Sequence, residues 1–198
     1  VHQLNEWQPD LLIAYASMAR VLAEEQLAGH LCISPEKVFT SSEVLTEETR
    51  RRVKVAWGEE PFNQYGATET ADIAAEHVAC RHMHLFEDIL LVEVVDDKYR
   101  PVPRGEYGEK LLITTLFSRT QPLIRYEIND SVRLSAEPCS ICGMPFVYMD
   151  GIQGRREDAL SLPSATKGTV LVQPLVFNRV MVILPVSGWQ VVQESESS

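Results

Sequence analysis

Apolar residues recur at helical spacing near the start of the chain. Between Leu11 and Leu27 they fall three or four positions apart, and the pattern stops before Gly29. The apolar positions are Leu11, Leu12, Tyr15, Met18, Ala19 and Leu22. This spacing predicts one amphipathic helix over 11–27 that is ended by a glycine.

A strand, a helix and a second strand are predicted next. "KVFTSSE" predicts a short strand that runs into a loop, and "FNQYG" predicts the second strand. Between them, "SEVLTEETRRRVKVAWG" predicts a helix with Thr46 as its N-cap and Gly58 at its end. Strand, helix and strand at this spacing predict an α/β crossover unit, and such sheets bind ligands at the carboxyl ends of their strands.

After about residue 84 the pattern becomes that of short strands. "LFEDILLVEVVDD", "EKLLITTLF" and "PLIRYEINDSVRL" are separated by turn signals, which predicts a mostly antiparallel sheet or partial barrel. From Gly151, "GIQGRREDALSLPSATKGTVLVQP" predicts a hinge into a second unit, "VFNRVMVILPVSGWQVVQE", which is too short for a complete domain. We therefore expect a division into residues 1–150 and 151–198.

Charge and composition narrow the class of protein. The chain has 18 Lys and Arg residues against 28 Asp and Glu residues, a net charge of −10, which argues against nucleic acid as a partner. No uncharged apolar run approaches the roughly 18 residues of a membrane span, and the polar start lacks the features of a signal peptide. We expect a cytoplasmic protein with no membrane partner. Because the chain opens on Val1 and continues directly into an amphipathic segment, we also expect a fragment.

Cysteine and histidine cluster in two places. His77, Cys80 and His84 lie in "AEHVACRHMHLFED", and Cys139 and Cys142 form the C-S-I-C pair of "PCSICG". These five residues predict a structural zinc site of four ligands: Cys139, Cys142, His84 and either His77 or Cys80. Such a site would close a long loop, which we expect beside the ligand pocket.

Two other residues of these types are expected outside the metal site. His82 is predicted to be a solvated side chain, and Cys32 is predicted to lie in the core. A redox role for the C-S-I-C pair is disfavoured because no helix N-terminus follows it to lower a thiolate pKa.

"YGATET" places a glycine at the end of a strand, where the backbone can approach a ligand. The Thr68 hydroxyl can donate to a phosphoryl oxygen, and Glu69 can hold Mg²⁺. On its own this motif is more often a plain turn. Asp130, five residues after Arg125, can accept both hydroxyls of a ribose, and "GIQGRREDAL" offers two arginines after a glycine; each of these is usually a solvated ion-pair patch.

Together, in this order and with "VFTSSE" upstream, these stretches resemble the adenylate-forming enzymes. "YGATETADIAAE", "LFSRTQPLIRYEINDSV" and "GRREDAL" are most similar to the phenylacetate-CoA ligase family. The resemblance extends over essentially the whole chain. It implies an α/β fold: part of the large AMP-binding domain, with a crossover unit and a β-rich, barrel-like part, followed by the start of the small carboxyl-terminal domain.

The resemblance also implies roles for individual residues. Ser42 and Glu43 match the loop that lines the adenine pocket, and Tyr65 and Gly66 continue that wall. Thr68 and Glu69 match the catalytic phosphate contact and magnesium carboxylate.

Two later positions complete the implied nucleotide-binding set. Asp130 matches the ribose-binding aspartate. Arg155 matches the arginine that closes over the nucleotide near the interdomain hinge.

The implied reaction joins a carboxylic acid, expected to be an aryl acid, to ATP and then transfers the acyl group to coenzyme A. ATP or AMP, Mg²⁺ and coenzyme A are the implied ligands, and family members often form homodimers. The family's Ser/Thr/Gly-rich phosphate loop and its late lysine are not present in this sequence, so we expect the isolated chain to be inactive. The alternative hypothesis is a non-catalytic, zinc-stabilised interaction or nucleotide-binding module.

Overall fold

The structure, a computed structural model, describes residues 1–155, 159–164, 168–181 and 190–193. The chain leaves its first structural unit and later returns to it. Unit 1 comprises Val1–Leu90 and Glu137–Tyr148, and unit 2 comprises Leu91–Ala136 and the residues from Met149 onward. The predicted boundary at residue 150 and the predicted hinge at Gly151 stay predictions.

Unit 1 begins with two strand–helix–strand crossovers. Its elements are α1 (His2–Trp7), β1 (Leu11–Tyr15), α2 (Ala16–Leu27), β2 (Lys37–Ser41), α3 (Glu47–Trp57), β3 (Phe62–Ala67), β4 (Ala71–Glu76) and β5 (Met83–Leu85). Strands β1, β2 and β3 are parallel, with Ile13 opposite Phe39 and Phe39 opposite Phe62. The predicted crossover unit is therefore confirmed.

Small and β-branched side chains bring the two helices onto this sheet. A buried cluster joins β1 and β2 to α2 and α3. Its members are Leu12, Ala19, Ala23, Val38 and Val53. Because alanine has no side chain beyond Cβ, α2 can approach the strands closely, and the branched valines fill the space between them.

The prediction of a single helix over 11–27 is wrong in its first turn. Leu11–Tyr15 is a strand, and the helix begins only at Ala16. All five residues pair in parallel with β2, and burial alternates, with Leu12 buried and Ile13 exposed. An apolar run of five residues fits the spacing of a helix as well as that of a strand. The backbone pairing with β2 decides in favour of the strand.

Helix α3 follows its predicted caps. The Thr46 hydroxyl accepts a hydrogen bond from the backbone N–H of Thr49, and Gly58 ends the helix in the left-handed region at φ 86°. The positive φ explains the glycine, since a side chain there would be strained. The next strand then begins at Phe62, so the helix is fixed at both ends close to the sheet.

After β3 the chain turns back on itself. Strands β3 and β4 form an antiparallel hairpin in which Gln64 faces Ala75 and Ala67 faces Ala71, and β5 pairs antiparallel with β4. A register irregularity lies between Tyr65 and Gly66. The hairpin thus has a turn at one end and the loop from β4 to β5 at the other.

Unit 2 is built from antiparallel pairs, as predicted. Its elements, of which β6 and β10 each begin with one residue of unit 1, are β6 (Leu90–Val95), β7 (Lys110–Thr115), β8 (Tyr126–Ile128), β9 (Asp130–Leu134), β10 (Tyr148–Arg155), β11 (Leu160–Ser164), β12 (Gly168–Val172) and α4 (Pro174–Met181). β6, β7 and β8 form a three-stranded sheet, and β9 pairs antiparallel with β10. Its core is apolar, with Val95, Leu111, Ile113 and Val132 fully buried.

The stretch after Gly151 is richer in strands than its composition indicates. Gly151–Arg155 continues β10, and Leu160–Ser164 pairs with Gly168–Val172 as a hairpin. Residues 156–158 of "GRREDAL" lie outside the described residues, as does most of the segment after α4. No helix among the described residues combines the length and apolar character needed to cross a lipid bilayer.

Candidate functional site

The turn between β3 and β4 presents Thr68 and Glu69 to solvent. Both side chains are exposed, whereas Thr70 is buried and its backbone N–H donates to the carbonyl oxygen of Ala67 at 3.1 Å. Ala71 closes the turn in the left-handed region at φ 60°, which is strained for a residue with a Cβ. Residues in such sparsely populated conformations cluster at functional sites, and both polar side chains of this turn are accessible to a ligand.

Gly66 is required by the close approach of the two hairpin strands. A Cβ at this position would lie 2.6 Å from the carbonyl oxygen of Ala71 and 2.9 Å from the Cα of Asp72. Both are backbone atoms, so nothing flexible can move aside. The glycine therefore lets β3 and β4 close directly beside Thr68 and Glu69.

Replacing Gly66 with alanine is expected to lower the free energy of unfolding by about 1–3 kcal/mol, because the new Cβ overlaps the facing backbone. Chemical denaturation of the purified variant measures this. Ala71→Gly on the facing strand is the matched control, and it should be neutral or stabilising because glycine accepts its positive φ. An unchanged midpoint for Gly66→Ala would contradict the close approach.

Ser42 and Glu43 follow β2 at the same edge of the parallel strands. Thr40 pairs with Asn63, so the end of β2, just before Ser42, lies beside the part of β3 that leads to Tyr65. Ser42 has φ 66°, a second left-handed residue in a predicted motif. The Glu43 carboxylate accepts from the backbone N–H of Ser17 at 2.8 Å, in the first turn of α2. Glu43 thus stabilises a helix N-terminus as well as lying in the predicted adenine loop.

In unit 2 the structure brings together two residues from separate motifs. Asp130 and Arg155 are cross-strand partners in the β9–β10 pair, and the Arg155 Nε lies 3.9 Å from a carboxylate oxygen of Asp130. The Asp130 side chain is 16% exposed, whereas that of Arg155 is 70% exposed. The arrangement places a largely buried carboxylate beside a mostly exposed arginine side chain.

Four metal-ligating side chains converge within unit 1. The ligand atoms of Cys80, His84, Cys139 and Cys142 all lie within 4.8 Å of one another. The Nε2 of His84 is 3.5 Å from the Cys80 sulfur and 3.3 Å from the Cys142 sulfur, and the sulfurs of Cys139 and Cys142 are 3.4 Å apart. Tetrahedral zinc with its usual bond lengths holds such atoms roughly 3.5–3.8 Å apart, so the group has the size of a zinc site.

A hydrogen bond to the backbone orients the His84 ring so that its other nitrogen can bind a cation. The ring Nδ1 of His84 lies 2.9 Å from the carbonyl oxygen of Phe146, which can only accept a hydrogen bond. This contact places the ring proton on Nδ1 and leaves the Nε2 lone pair facing the sulfurs, an arrangement typical of metal-bound histidine. His84 is itself buried.

The thiols differ in their pKa values. A hydrogen bond from the backbone N–H of Cys142 is the main cause that lowers the pKa of Cys139 to about 5, with further help from Ile141 and His82. Burial is the main cause that raises the pKa of Cys80 to about 11, and the neighbouring cysteines add to it. The Cys139 thiolate is therefore favoured without a metal, whereas charging Cys80 as well would need a cation beside it.

The other residues predicted near this group lie elsewhere. The ring Nδ1 of His77 accepts from the backbone N–H of Ala79 at 3.2 Å, and His77 is not in the group of four. The prediction that His82 is solvated is wrong, because its ring stacks on Tyr148 at a centroid distance of 4.2 Å. The prediction that Cys32 is buried is also wrong: it is exposed between the buried Leu31 and Ile33.

The metal-ligating group lies away from the turn that carries Thr68 and Glu69, and its expected place beside the ligand pocket stays a prediction. Cys80 and His84 belong to the loop and strand after Glu76, at the opposite end of the β3–β4 hairpin from Gly66. Antiparallel pairing forces this arrangement, because β4 carries the chain away from the turn before the ligands occur.

A buried ion network beside this loop was not foreseen from the sequence. The Glu76 carboxylate binds both terminal nitrogens of the Arg50 guanidinium and accepts from the backbone N–H of Asn63 at 3.1 Å. Arg81, with φ 60°, donates to the carbonyl oxygen of Pro61 at 2.6 Å. Arg81 also stacks its guanidinium over Phe62. The run of three arginines in α3 was a visible signal, but it did not show which one is buried.

Two curated proteins are similar to this chain, although no protein-family model matches it. Phenylacetate-coenzyme A ligase of Thermus thermophilus is 33% identical over 207 residues, covering 98% of this chain and 44% of that protein. Protein CapK of Staphylococcus aureus is 27% identical over 172 residues, covering 86% of this chain and 36% of that protein. The chain spans less than half the length of these relatives.

Solved structures show the same fold. An open conformation of 2-hydroxyisobutyryl-CoA ligase, in complex with 2-HIB-AMP and CoA, matches with a TM-score of 0.73 at 21% identity over 93% of this chain and 44% of that chain. The anthranilate CoA ligase AuaEII, in complex with anthranoyl-AMP, matches with a TM-score of 0.65 at 18% identity over 92% and 36%. The predicted resemblance and the predicted α/β fold are both confirmed.

Proposed function

We propose that this chain, a relative of phenylacetate-CoA ligase with the fold of the adenylate-forming enzymes, carries part of the nucleotide site of an ATP-dependent acid–CoA ligase. In this reaction a carboxylate attacks the α-phosphorus of ATP, pyrophosphate leaves, and the resulting acyl-adenylate gives its acyl group to the thiol of coenzyme A. We propose an aryl carboxylic acid as the substrate. The similarity to phenylacetate-CoA ligase supports this choice.

The observation that carries the proposal is the cross-strand pairing of Asp130 with Arg155 in unit 2. These residues come from two separate motifs, and a ribose-binding carboxylate needs a fixed position. Asp130 has that position on β9, while the exposed Arg155 can reach towards an anionic ligand.

Within unit 1, roles are proposed separately for two residues of the β3–β4 turn. Thr68 donates its hydroxyl to a phosphoryl oxygen, and Glu69 is the carboxylate that would hold Mg²⁺; both are exposed on a constrained turn. A bound Mg²⁺ would offset negative charge on the phosphates.

The proposed adenine contacts lie at the carboxyl ends of β2 and β3. They are Ser42, Glu43, Tyr65 and Gly66. Their position agrees with the general rule for ligand binding by parallel strands.

A structural zinc is the second part of the proposal. Cys80, His84, Cys139 and Cys142 would hold it with four protein ligands, which leaves no open position for water and so no catalytic role. The zinc would fasten the loop after β4 to the "PCSICG" turn. We propose that it stabilises unit 1.

The test of function is product analysis with the protein encoded by the natural gene. With ATP, Mg²⁺, coenzyme A and phenylacetate or benzoate, we expect an acyl-CoA thioester together with equal amounts of AMP and pyrophosphate. Formation of ADP and phosphate would contradict adenylation. If zinc is present but no acid supports thioester formation, the alternative of a non-catalytic, zinc-stabilised module is favoured.

Replacing Asp130 with alanine is expected to weaken ATP binding by at least about a hundredfold, because two charge-assisted hydrogen bonds to the ribose, each worth about 1.5–3 kcal/mol, are lost. Titration calorimetry with ATP measures this in the same protein. Asp150→Ala is the matched control: Asp150 accepts from Arg133 at 2.7 Å in the same strand pair but belongs to no predicted nucleotide motif. Equal affinities for the two variants would remove Asp130 from the ribose site.

A further inference from the structure

His82 contacts two cysteines of the metal-ligating group without being one of the four ligands. Its backbone N–H donates to the Cys80 sulfur at 3.4 Å, and its ring Nδ1 lies 3.3 Å from the Cys139 sulfur. Cys80 and Cys139 come from distant parts of the sequence. A single residue therefore touches both halves of the site.

The His82 ring is held in one orientation by stacking. It lies nearly parallel to the ring of Tyr148, with an interplanar angle of 12° and centroids 4.2 Å apart. The backbone carbonyl of His82 accepts from the backbone N–H of His77 at 3.0 Å, which fixes the loop as well. Both ring and backbone are thus constrained to present hydrogen-bond donors to sulfur.

The protonation state of the Cys139 sulfur determines which atom donates in its contact with the His82 ring. A cysteine sulfur bound to a metal has no proton to donate, so a ring nitrogen facing it must carry the hydrogen. An N–H···S hydrogen bond draws off part of the thiolate charge and restrains the side chain. Groups that hydrogen-bond to metal ligands in this way commonly change metal affinity by about 10–100-fold when they are removed.

His82 contacts a ligand of the proposed metal and is not itself one of the four ligands. Its contact is with the sulfur of Cys139, whereas the group of four is already complete with three sulfurs and the Nε2 of His84. The ring centroids of His82 and His84 are 6.5 Å apart, so the two imidazoles lie side by side with different partners. His84 faces Cys80 and Cys142, and His82 faces Cys139.

We propose that His82 is an outer-shell positioning residue that joins the two halves of the metal site and slows the release of the metal. This inference rests on the proposed structural zinc. Its ring hydrogen bond holds the Cys139 thiolate, and its backbone hydrogen bond holds Cys80. Tyr148 keeps the ring in place.

The test compares variants that differ in one property of the side chain. His82→Phe keeps an aromatic ring against Tyr148 but loses the donor. His82→Asn keeps an N–H donor near the position of Nδ1, whereas His82→Gln moves the donor away from it. His30→Phe is the matched control, because it replaces an exposed histidine of the same unit whose ring pairs with Glu25, outside the group of four.

The measurements are zinc content after purification without chelator and the rate of zinc transfer to an excess of a chromophoric chelator. We expect one zinc per chain in every variant and release at least about tenfold faster from His82→Phe than from the wild type. His82→Asn should stay within about threefold of the wild-type rate, and His30→Phe should match that rate. Should His82→Phe not fold, faster release from His82→Gln than from His82→Asn is the supporting result.

Three outcomes would overturn the inference in different ways. Wild-type release rates from His82→Phe, or equal rates from the Asn and Gln variants, would show that the ring hydrogen bond does not retain the metal. A cobalt-substituted His82→Phe protein whose absorption shows one ligand fewer would make His82 a ligand. Less than a tenth of an equivalent of zinc in the wild-type protein would overturn the zinc site itself.

Discussion

Cys139→Ser is expected to purify with less than a tenth of an equivalent of zinc and to lose about 4 kcal/mol of unfolding free energy. In a chain of this size the loss corresponds to a melting temperature about 8–16 °C lower. Cys139 is the most buried of the three cysteine ligands, and its sulfur lies 3.4 Å from that of Cys142. A serine hydroxyl is a poor zinc ligand, so the loop after β4 would lose its attachment to the "PCSICG" turn.

Metal analysis and thermal denaturation followed by circular dichroism measure the two effects. Cys32→Ser is the matched control, because Cys32 is exposed and its thiol contacts only the carbonyl oxygen of Gly29 at 3.8 Å among the described hydrogen bonds. It should retain zinc and melt with the wild type. A Cys139→Ser protein with full zinc content, or with an unchanged melting temperature, would contradict a stabilising metal at this site.

Glu76→Gln is expected to lower the free energy of unfolding by about 3–5 kcal/mol. The Glu76 side chain is 5% exposed and that of Arg50 is 17% exposed, so both charges are largely removed from water. An amide keeps the shape of the side chain but leaves the Arg50 guanidinium without its countercharge. Urea denaturation of the purified protein measures the change.

Glu47→Gln is a control for the same arginine. Glu47 lies 3.7 Å from the Nε of Arg50, but its side chain is 94% exposed, and water screens the pair. We expect its unfolding midpoint to be indistinguishable from that of the wild type. If the two variants were equally stable, burial would not be the reason that Glu76 matters.

Local sequence signals were sufficient to predict features that depend only on neighbouring residues, such as the ends of a helix. Thr46 and Gly58 predicted both ends of α3, because a side-chain cap and a left-handed glycine act within one turn. Leu11–Tyr15 was assigned to the wrong element because its strand character depends on pairing with Lys37–Ser41, more than twenty residues later. Pairing between segments that far apart cannot be recognised from a short window of sequence.

The same distinction applies to the metal-ligating group. The C-x-x-C spacing of Cys139 and Cys142 is local and was recognised, but the choice between His77 and Cys80 was not decided by the sequence. It depends on the loop between β4 and β5, where Arg81 adopts a positive φ and the chain turns so that Cys80 faces His84. The ion network around Glu76 was missed for a similar reason, since its partners come from α3 and β3.

Unit 1 is made of two separate segments of the chain, so its parts become available at different times during synthesis on the ribosome. Cys80 and His84 emerge with the first segment of the unit, but Cys139 and Cys142 follow only after residues 91–136 have been translated. At about 5–20 residues per second, the interval between His84 and Cys142 lasts about 3–12 s. During that time the nascent first segment carries half of the proposed metal site, so the stability that a bound zinc would add to unit 1 becomes available only after residues 91–136 have been translated.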